Sequence, residues 1–143
     1  MPLDNLVGEV YNNIRCTMLE LVYEENAQKI GKVWNRIFTE SVPSEGMFVL
    51  LRLDEVAIGV AHLRMPNTKE VVLCRLGIYE DLRGRGFGDF FLRSLFYMLT
   101  LCGNDFVVES THPYFAKFGF AKEGERMRVH AENLVFPSQC GGH

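Results

Sequence analysis

The stretch "LRGRGFGDFF", residues 82–91, carries the residue types best suited to chemistry. Gly84, Gly86 and Gly88 alternate with Arg83 and Arg85, immediately before a run of large apolar residues. Glycine costs a helix about 1 kcal/mol relative to alanine, but it leaves the backbone accessible and free to adopt positive φ. Amide groups at a helix N-terminus bind phosphates, and arginine adds a permanent positive charge. The stretch therefore predicts a pyrophosphate-binding loop, with a tight strand-to-helix turn flanked by solvated arginines as the alternative.

Two familiar phosphate-binding motifs do not fit this stretch. A P-loop requires a Lys-Ser or Lys-Thr pair after its last glycine, and none follows here. A dinucleotide-binding fingerprint requires G-x-G-x-x-G, but Asp89 stands where the third glycine would be. These absences argue against P-loop nucleotide hydrolysis and against a Rossmann dinucleotide site.

The stretch Arg83-Gly84-Arg85-Gly86-Phe87-Gly88 fits the pattern R-x-x-G-x-G. Together with the preceding "LGIYEDL" and the following "DFFLRSL", it resembles motif A of the GNAT superfamily of acetyl-CoA-dependent N-acetyltransferases. Further along the chain, "YFAKFGF" resembles the Y-x-K-x-G-F segment of that superfamily. The order of predicted elements fits the superfamily over residues 14–136, so the resemblance covers most of the chain.

The resemblance implies where the cofactor, acetyl-CoA, would bind. In that family two parallel strands splay apart and the pantetheine arm lies between them. Carried over to this sequence, backbone groups around Leu76, Gly77 and Ile78 would face the pantetheine and the thioester. Phe115 stands where the family's tyrosine approaches the sulfur. The backbone amides expected to hold the pyrophosphate belong to Arg83, Gly84, Arg85, Gly86, Phe87 and Gly88.

The implied reaction is direct attack of a primary amine on the thioester carbonyl, with a backbone N–H near Ile78 stabilising the oxyanion. An amine with a pKa near 10 must first lose a proton. Glu109 is our first candidate for the base. Glu70, two residues from the family's glutamate position at Val72, and His112 are the alternatives, although each could simply be solvated.

The general acid is equally open at this stage. Tyr114 lies one residue before the family's tyrosine position, which on a helix rotates the side chain by about 100°. It could still protonate the departing thiolate, but we favour a packing role.

The acceptor is expected to be a small molecule, an amino acid or a peptide. The connection "TESVPSEG", residues 39–46, occupies the region where family members bind the acceptor, and its Glu40 and Glu45 could attract a cation. A catalytically weak acyl-CoA-binding module that acts as a sensor or a subunit is the alternative, because the tyrosine and the glutamate of the family are displaced here.

Hydrophobic periodicity predicts an α/β domain with a mixed sheet. The antiparallel part comprises a strand (or a helix) at 14–23 and a meander over 47–53, 56–65 and 70–79, with a turn at "MPNTK". A helix over 25–38 lies between the first two strands. A buried helix at 89–102, closed by Gly103, joins the last of these strands to a strand at 105–110, and such a crossover makes the two strands parallel. "PYFAKFGF" predicts a short helix and a strand, and "RMRVH" with "NLVF" a final hairpin.

Composition sets the remaining expectations. The chain has 143 residues, 48% of them hydrophobic, and a formal charge of −3, which favours one globular domain over residues 1–143 and argues against nucleic-acid binding. No cationic start or apolar run of about 20 residues is present, so we expect a cytosolic protein without membrane contact, monomeric or homodimeric. Four cysteines without a C-x-x-C pair predict free thiols. Cys140 and His143 alone make a poor metal site, so no metal is expected.

Overall fold

A computed structural model describes residues 18–138, which form one seven-stranded mixed sheet with two main helices. The strands are β1 Leu19–Glu24, β2 Met47–Leu53, β3 Val56–Asn67, β4 Glu70–Ile78, β5 Asp105–Val108, β6 Ala121–Glu123 and β7 Arg126–His130. The helices are α1 Ala27–Ile37 and α2 Phe87–Thr100, with short 3-10 turns at Glu80–Leu82, Pro113–Phe118 and Ala131–Asn133. Of the strand predicted at 14–23, residues 14–17 lie outside the described residues, as do Cys16, Cys140 and His143.

The strand order β1-β2-β3-β4-β5-β7-β6 confirms the predicted mixed sheet. Strands β1 to β4 form an antiparallel meander, and β4 pairs with β5 in parallel. The β2–β3 hairpin closes through Asp54 and Glu55, which both have positive φ values of 50° and 73°. Two consecutive positive φ values match the right-handed twist of a tight hairpin.

Helix α1 begins because Asn26 caps it, accepting hydrogen bonds from the amides of Gln28 and Lys29 at 2.9 and 3.1 Å. It buries Ile30, Val33 and Trp34 against the sheet. Its C-terminal end packs on β4 at Gly77, where a Cβ would lie 2.5 Å from Ile37 and 3.0 Å from Phe38. Gly77 is therefore needed for the close approach of the helix to the sheet.

Helix α2 begins two residues earlier than predicted, at Phe87, and it is less buried than predicted. Phe91, Leu95 and Phe96 are buried, whereas Tyr97 and Met98 are exposed. The expectation of a mostly buried helix was wrong, because the sheet covers only one side of α2 and leaves Tyr97 and Met98 exposed on the other, although the Phe136 ring lies 6.5 Å from the Tyr97 ring.

The predicted pairing of "RMRVH" with "NLVF" is also wrong. "RMRVH" forms β7, which lies between β5 and β6 and hydrogen bonds with both. Since both edges of β7 are occupied, the chain leaves the sheet after His130 through the 3-10 turn. The predicted "MPNTK" turn is shorter than expected, because β3 extends to Asn67.

Candidate functional site

Strands β4 and β5 diverge in the middle of the sheet. They pair from Glu70–Asp105 to Leu73–Val108, and the amide of Glu109 makes a final 3.1 Å bond to the Leu73 carbonyl. Beyond this point β4 continues to Ile78 paired only with β3. We call this divergence the fork. It leaves one edge of β4 without a strand partner among residues 18–138, and a buried strand edge needs hydrogen-bonding partners from elsewhere.

A β-bulge marks the position at which the strands separate. Cys74 is the extra residue of β4 between the pairs His62–Arg75 and Leu63–Leu73. Bulges redirect neighbouring side chains and end regular pairing, and they occur often beside functional sites.

The fork contains a cavity of about 240 Å³, which we call the fork cavity. Its walls are formed by β4 and β5 and the residues that follow β5, by the C-terminal end of α1, by α2, and by the 3-10 turn Pro113–Phe118. The lining residues are Phe38, Leu73, Cys74, Arg75, Leu76, Leu92, Val108, Glu109, Ser110 and Phe115. The cavity is thus mostly apolar, with one carboxylate, one thiol, one guanidinium and one hydroxyl. A larger cavity of about 620 Å³ lies beside α1 and contains no residue of the fork.

The glycine loop, residues 83–88, connects the end of β4 to α2. Gly84 and Gly86 have φ values of 80° and 86°, and a Cβ on either would meet no atom within 4 Å. Backbone conformation rather than packing therefore requires glycine at these two positions. Gly86 is the N-cap of α2 and supplies no side-chain cap. Within residues 18–138, the amides of residues 84–88 donate no hydrogen bond, so they form an open donor set at the positive end of the helix dipole.

The two arginines of the glycine loop behave differently. The Nε of Arg83 donates a 3.1 Å hydrogen bond to the Ile78 carbonyl, which ties the loop to the end of β4. Arg85 is exposed and makes no ion pair with any described residue. Phe87 is half-buried and packs against the core, while Ile78 is buried beneath the loop.

Glu109 is the candidate base that the structure brings to the fork cavity. Its carboxylate forms a 3.6 Å ion pair with Arg64 and its side chain is 42% exposed.

Glu70 lies four residues before Cys74 on β4, about 13 Å away at the usual rise per residue, and it pairs with Arg128. The Arg128 hydrogen bond holds the pKa of the Glu70 carboxyl below its usual value. The Nδ1 atom of His112 accepts a 3.0 Å hydrogen bond from the Tyr114 amide and so caps the following 3-10 turn.

Tyr114 is held by a carboxylate rather than directed into the fork cavity. Its hydroxyl donates to Asp89, whose other oxygen accepts from Arg93 Nε at 2.7 Å. Burial, together with the Asp89 carboxylate, raises the pKa of Tyr114 well above its usual value. The neighbouring Phe115 is the residue that lines the cavity.

Several residues of the site were missed by sequence reasoning. Arg64 on β3 donates from Nε to Cys74 Sγ at 3.2 Å, and burial raises the pKa of the Cys74 thiol despite this contact. Arg75 forms an ion pair with Glu40 and stands over the Phe38 ring at 5.7 Å. No local sequence pattern identifies these residues. Single arginines and cysteines on strands are common, and the residues that they contact are distant in the chain.

The connection from α1 to β2, residues 39–46, is fastened to the sheet beside the fork. The buried His62 donates a 2.7 Å hydrogen bond from Nε2 to the Glu45 carbonyl. Gly46 allows this approach, since a Cβ there would lie 2.5 Å from His62 Nε2. The Glu40 carboxylate is paired with Arg75, so it is less available to a cationic acceptor than the sequence suggested.

Over residues 18–138 no helix is both long enough and apolar enough to cross a membrane. The same residues contain no group of three or more His, Cys, Asp or Glu side chains that could hold a metal ion.

Comparisons with known proteins agree with this geometry. The family model for the acetyltransferase (GNAT) family matches residues 9–120, whereas no curated protein matches the sequence significantly. Among solved structures, the ribosomal-protein-S18-alanine N-acetyltransferase from Escherichia coli aligns with a TM-score of 0.65 at 13% identity, over 83% of this chain and 100% of that chain. Ard1 from Thermoplasma volcanium aligns with a TM-score of 0.62 at 14% identity, over 78% of this chain and 97% of that chain. A GNAT family acetyltransferase from Brucella melitensis, in complex with acetyl-CoA, aligns with a TM-score of 0.62 at 13% identity, over 78% of this chain and 87% of that chain.

At these identities the structural matches establish the fold alone. The family match, however, spans most of the sequence, from before β1 to the residue preceding β6. The three structural matches cover 78–83% of this chain, so its overall fold is one that these acetyltransferases share. The chain belongs to the GNAT family of acetyltransferases.

Proposed function

We propose that this protein is an N-acetyltransferase that transfers an acetyl group from acetyl-CoA to a primary amine of a small molecule, an amino acid or a peptide. The observation that carries the proposal is the fork cavity, which has Glu109 on its wall and the open edge of β4 beside it. The glycine loop, whose amides donate no hydrogen bond to any described residue, follows β4 after the 3-10 turn at Glu80–Leu82.

The residues present suit coenzyme A in two respects. A diphosphate matches the amides of residues 84–88 at a helix N-terminus, which donate to no described residue, and the exposed Arg85 lies beside them. A pantetheine arm, which carries amide groups, matches the unpartnered edge of β4 around Leu76 and Gly77. Structures of Escherichia coli YhhK and YhbS, which share the fold, contain coenzyme A.

When bound, acetyl-CoA would supply an activated thioester to the cavity. In the proposed reaction Glu109 removes a proton from the acceptor ammonium, directly or through a water molecule, so that the amine becomes nucleophilic. A backbone amide of β4 in the unpaired stretch near Ile78 stabilises the negative charge that develops on the carbonyl oxygen. The thiol leaving group has a pKa near 8.5 and needs little protonation, which fits the attachment of Tyr114 to Asp89.

The size of the fork cavity supports a small acceptor or the end of a chain. Its volume of about 240 Å³ lies below the usual range for drug-sized ligands of about 300–1,000 Å³. Two enzymes of the same fold provide analogies: the Escherichia coli ribosomal-protein-S18-alanine N-acetyltransferase, and Arabidopsis thaliana Naa50, which was solved with the bisubstrate analogue CoA-Ac-MVNAL.

The test is acetyl transfer from acetyl-CoA to a panel of free amino acids, short peptides and polyamines, followed by mass spectrometry. We expect at least one acetylated product with the wild type. For that acceptor, Glu109→Gln should lower kcat about 100-fold or more, within the range of a positioned base. Glu70→Gln should change it less than threefold. The wild-type rate should rise toward alkaline pH, because the amine is deprotonated there.

The second candidate is an acyl-CoA-binding module with weak chemistry. The observation in its favour is that no tyrosine among residues 18–138 lines the fork cavity, where Phe115 lies and the Tyr114 hydroxyl is bound to Asp89. If the protein binds acetyl-CoA but acetylates no amine of the panel, this second function replaces the first.

A further inference from the structure

Arg64 connects three neighbouring strands at the fork. Its side chain starts on β3 and donates from Nε to the Cys74 thiol on β4 at 3.2 Å. A terminal nitrogen of the same guanidinium pairs with the Glu109 carboxylate, just beyond β5, at 3.6 Å. A single side chain thus spans the position at which β4 and β5 separate.

From this arrangement we propose that Arg64 is a positioning residue, which holds the Glu109 carboxylate at the wall of the fork cavity in the orientation needed to accept a proton. The inference rests on the proposed role of Glu109 as the base. It extends that role to a residue that does not line the fork cavity.

Glu109 needs such a support because of its place in the chain. The Glu109 amide makes the last hydrogen bond between β4 and β5. Glu109 is therefore the first residue beyond the paired part of β5, and no paired strand residue lies opposite it on β4. Among the described residues, Arg64 is the only one that forms an ion pair with Glu109. Arg75, the cation that lines the fork cavity, is paired with Glu40 instead.

The bulge explains why Arg64 can hold this geometry. Cys74 is the inserted residue of β4, and its sulfur accepts the hydrogen bond that Arg64 donates from Nε. Because the guanidinium is planar and rigid, fixing Nε also fixes the direction of its terminal nitrogens toward Glu109. The contact with Cys74 and, to a smaller extent, the carboxylates of Glu109 and Glu45 raise the pKa of Arg64 and so favour its charged form.

The contact is suited to positioning rather than to stabilising the fold. The side chains of Arg64 and Glu109 are 41% and 42% exposed, and ion pairs with this exposure contribute little to folding. A displacement of a catalytic group by about 1 Å, by contrast, can reduce a rate by up to about 100-fold. Loss of Arg64 should therefore affect kcat much more than the melting temperature.

The experiment is a double-mutant cycle with Arg64→Gln, Glu109→Gln and both together, measured with acetyl-CoA and the acceptor found in the amine panel. We expect Arg64→Gln to lower kcat by about 10- to 100-fold with KM for acetyl-CoA changed less than twofold. In the Glu109→Gln background it should have no further effect. Arg64→Lys, which keeps the positive charge but loses the planar guanidinium group, should give a kcat between those of the wild type and Arg64→Gln. Arg52→Gln, which breaks an exposed 3.5 Å pair with Glu20 between β2 and β1, is the matched control and should leave kcat unchanged.

Equal losses from Arg64→Gln in both backgrounds would overturn the proposal. So would a rise in KM confined to acceptors that carry a carboxylate, since Arg64 would then bind the acceptor itself. A crystal structure of Arg64→Gln provides a test that needs no acceptor: the Glu109 carboxylate should leave its position, and its retention there would contradict the proposal. The role of Glu109 as the base fails separately, if Glu109→Gln keeps the wild-type rate.

Discussion

Replacing Tyr114 with phenylalanine removes one hydroxyl and leaves the ring in place. The ring packs against Phe115 and Phe118, with centroids 5.4 and 5.2 Å away, and these contacts persist in the variant. The lost interaction is the hydrogen bond that the hydroxyl donates to the Asp89 carboxylate at the start of α2. The variant thus isolates that single bond.

The magnitude follows from the partners of Asp89. A hydrogen bond to a charged group contributes about 1.5–3 kcal/mol. Asp89 keeps the 2.7 Å bond from Arg93, so the lower end applies, about 1.5 kcal/mol. For a chain of this size we expect the melting temperature to fall by about 3–6 °C. Tyr97→Phe removes a hydroxyl from a residue that is 63% exposed, and as a control it should shift the melting temperature by less than 2 °C.

The catalytic effect of Tyr114→Phe should be small. A hydroxyl whose pKa is raised by burial and by Asp89 is a poor proton donor to a thiolate, so acetyl transfer should fall less than about tenfold. A positioned general acid contributes about 10²–10⁴. Calorimetry gives the stability change, and initial rates with acetyl-CoA give the catalytic change. A loss of 100-fold or more with intact affinity for coenzyme A would refute the reasoning and make Tyr114 the acid.

Three further predictions concern the loop and the charges of the sheet. Gly86→Glu should abolish coenzyme A binding in titration calorimetry, because it places bulk and negative charge at the amides, whereas Gly124→Glu, at another open glycine with positive φ, should bind normally. Arg83→Ala should weaken coenzyme A binding by less than about tenfold, since the backbone amides remain. The hydrogen bonds of Arg128 lower the pKa of the carboxyls of Glu70 and Glu123, so their contribution to stability is present above about pH 4.5 and is lost as the pH falls below it. Arg128→Gln should therefore flatten the fall in melting temperature between pH 6 and pH 3, and unchanged steepness would contradict this assignment.

The parts of the fold that have local signals could be predicted from the sequence. The alternation of apolar residues placed the meander, and a strand, a helix and a strand in succession gave the parallel pair β4–β5. The glycine loop was recognisable because glycines at fixed spacing before an apolar run have few structural explanations. The start of α2 was misplaced at Asp89, since Gly88 lies in the first helical turn, where its backbone cost is small.

The errors arose where tertiary pairing decides the outcome. "NLVF" has strand-like residues, but β7 has no free edge to accept them. The predicted burial of α2 failed at Tyr97 and Met98 because the apolar pattern does not show how many sides of a helix are covered.

The candidate site could be predicted only in part for the same reason. Glu109 and Phe115 were identified from their positions after a strand and in a motif. Arg64 and Cys74, however, meet Glu109 only because β3, β4 and β5 are neighbours and β4 carries a bulge. Nothing in the local sequence distinguishes Arg64 from the other strand arginines.

The most direct test of the central claim is a crystal structure of the full chain with acetyl-CoA. We expect the pantetheine between β4 and β5, the diphosphate at the amides of residues 84–88, and the acetyl group in the fork cavity near Glu109. Acetyl-CoA bound elsewhere, for example in the larger cavity beside α1, would contradict it, as would a protein that does not bind acetyl-CoA at millimolar concentration.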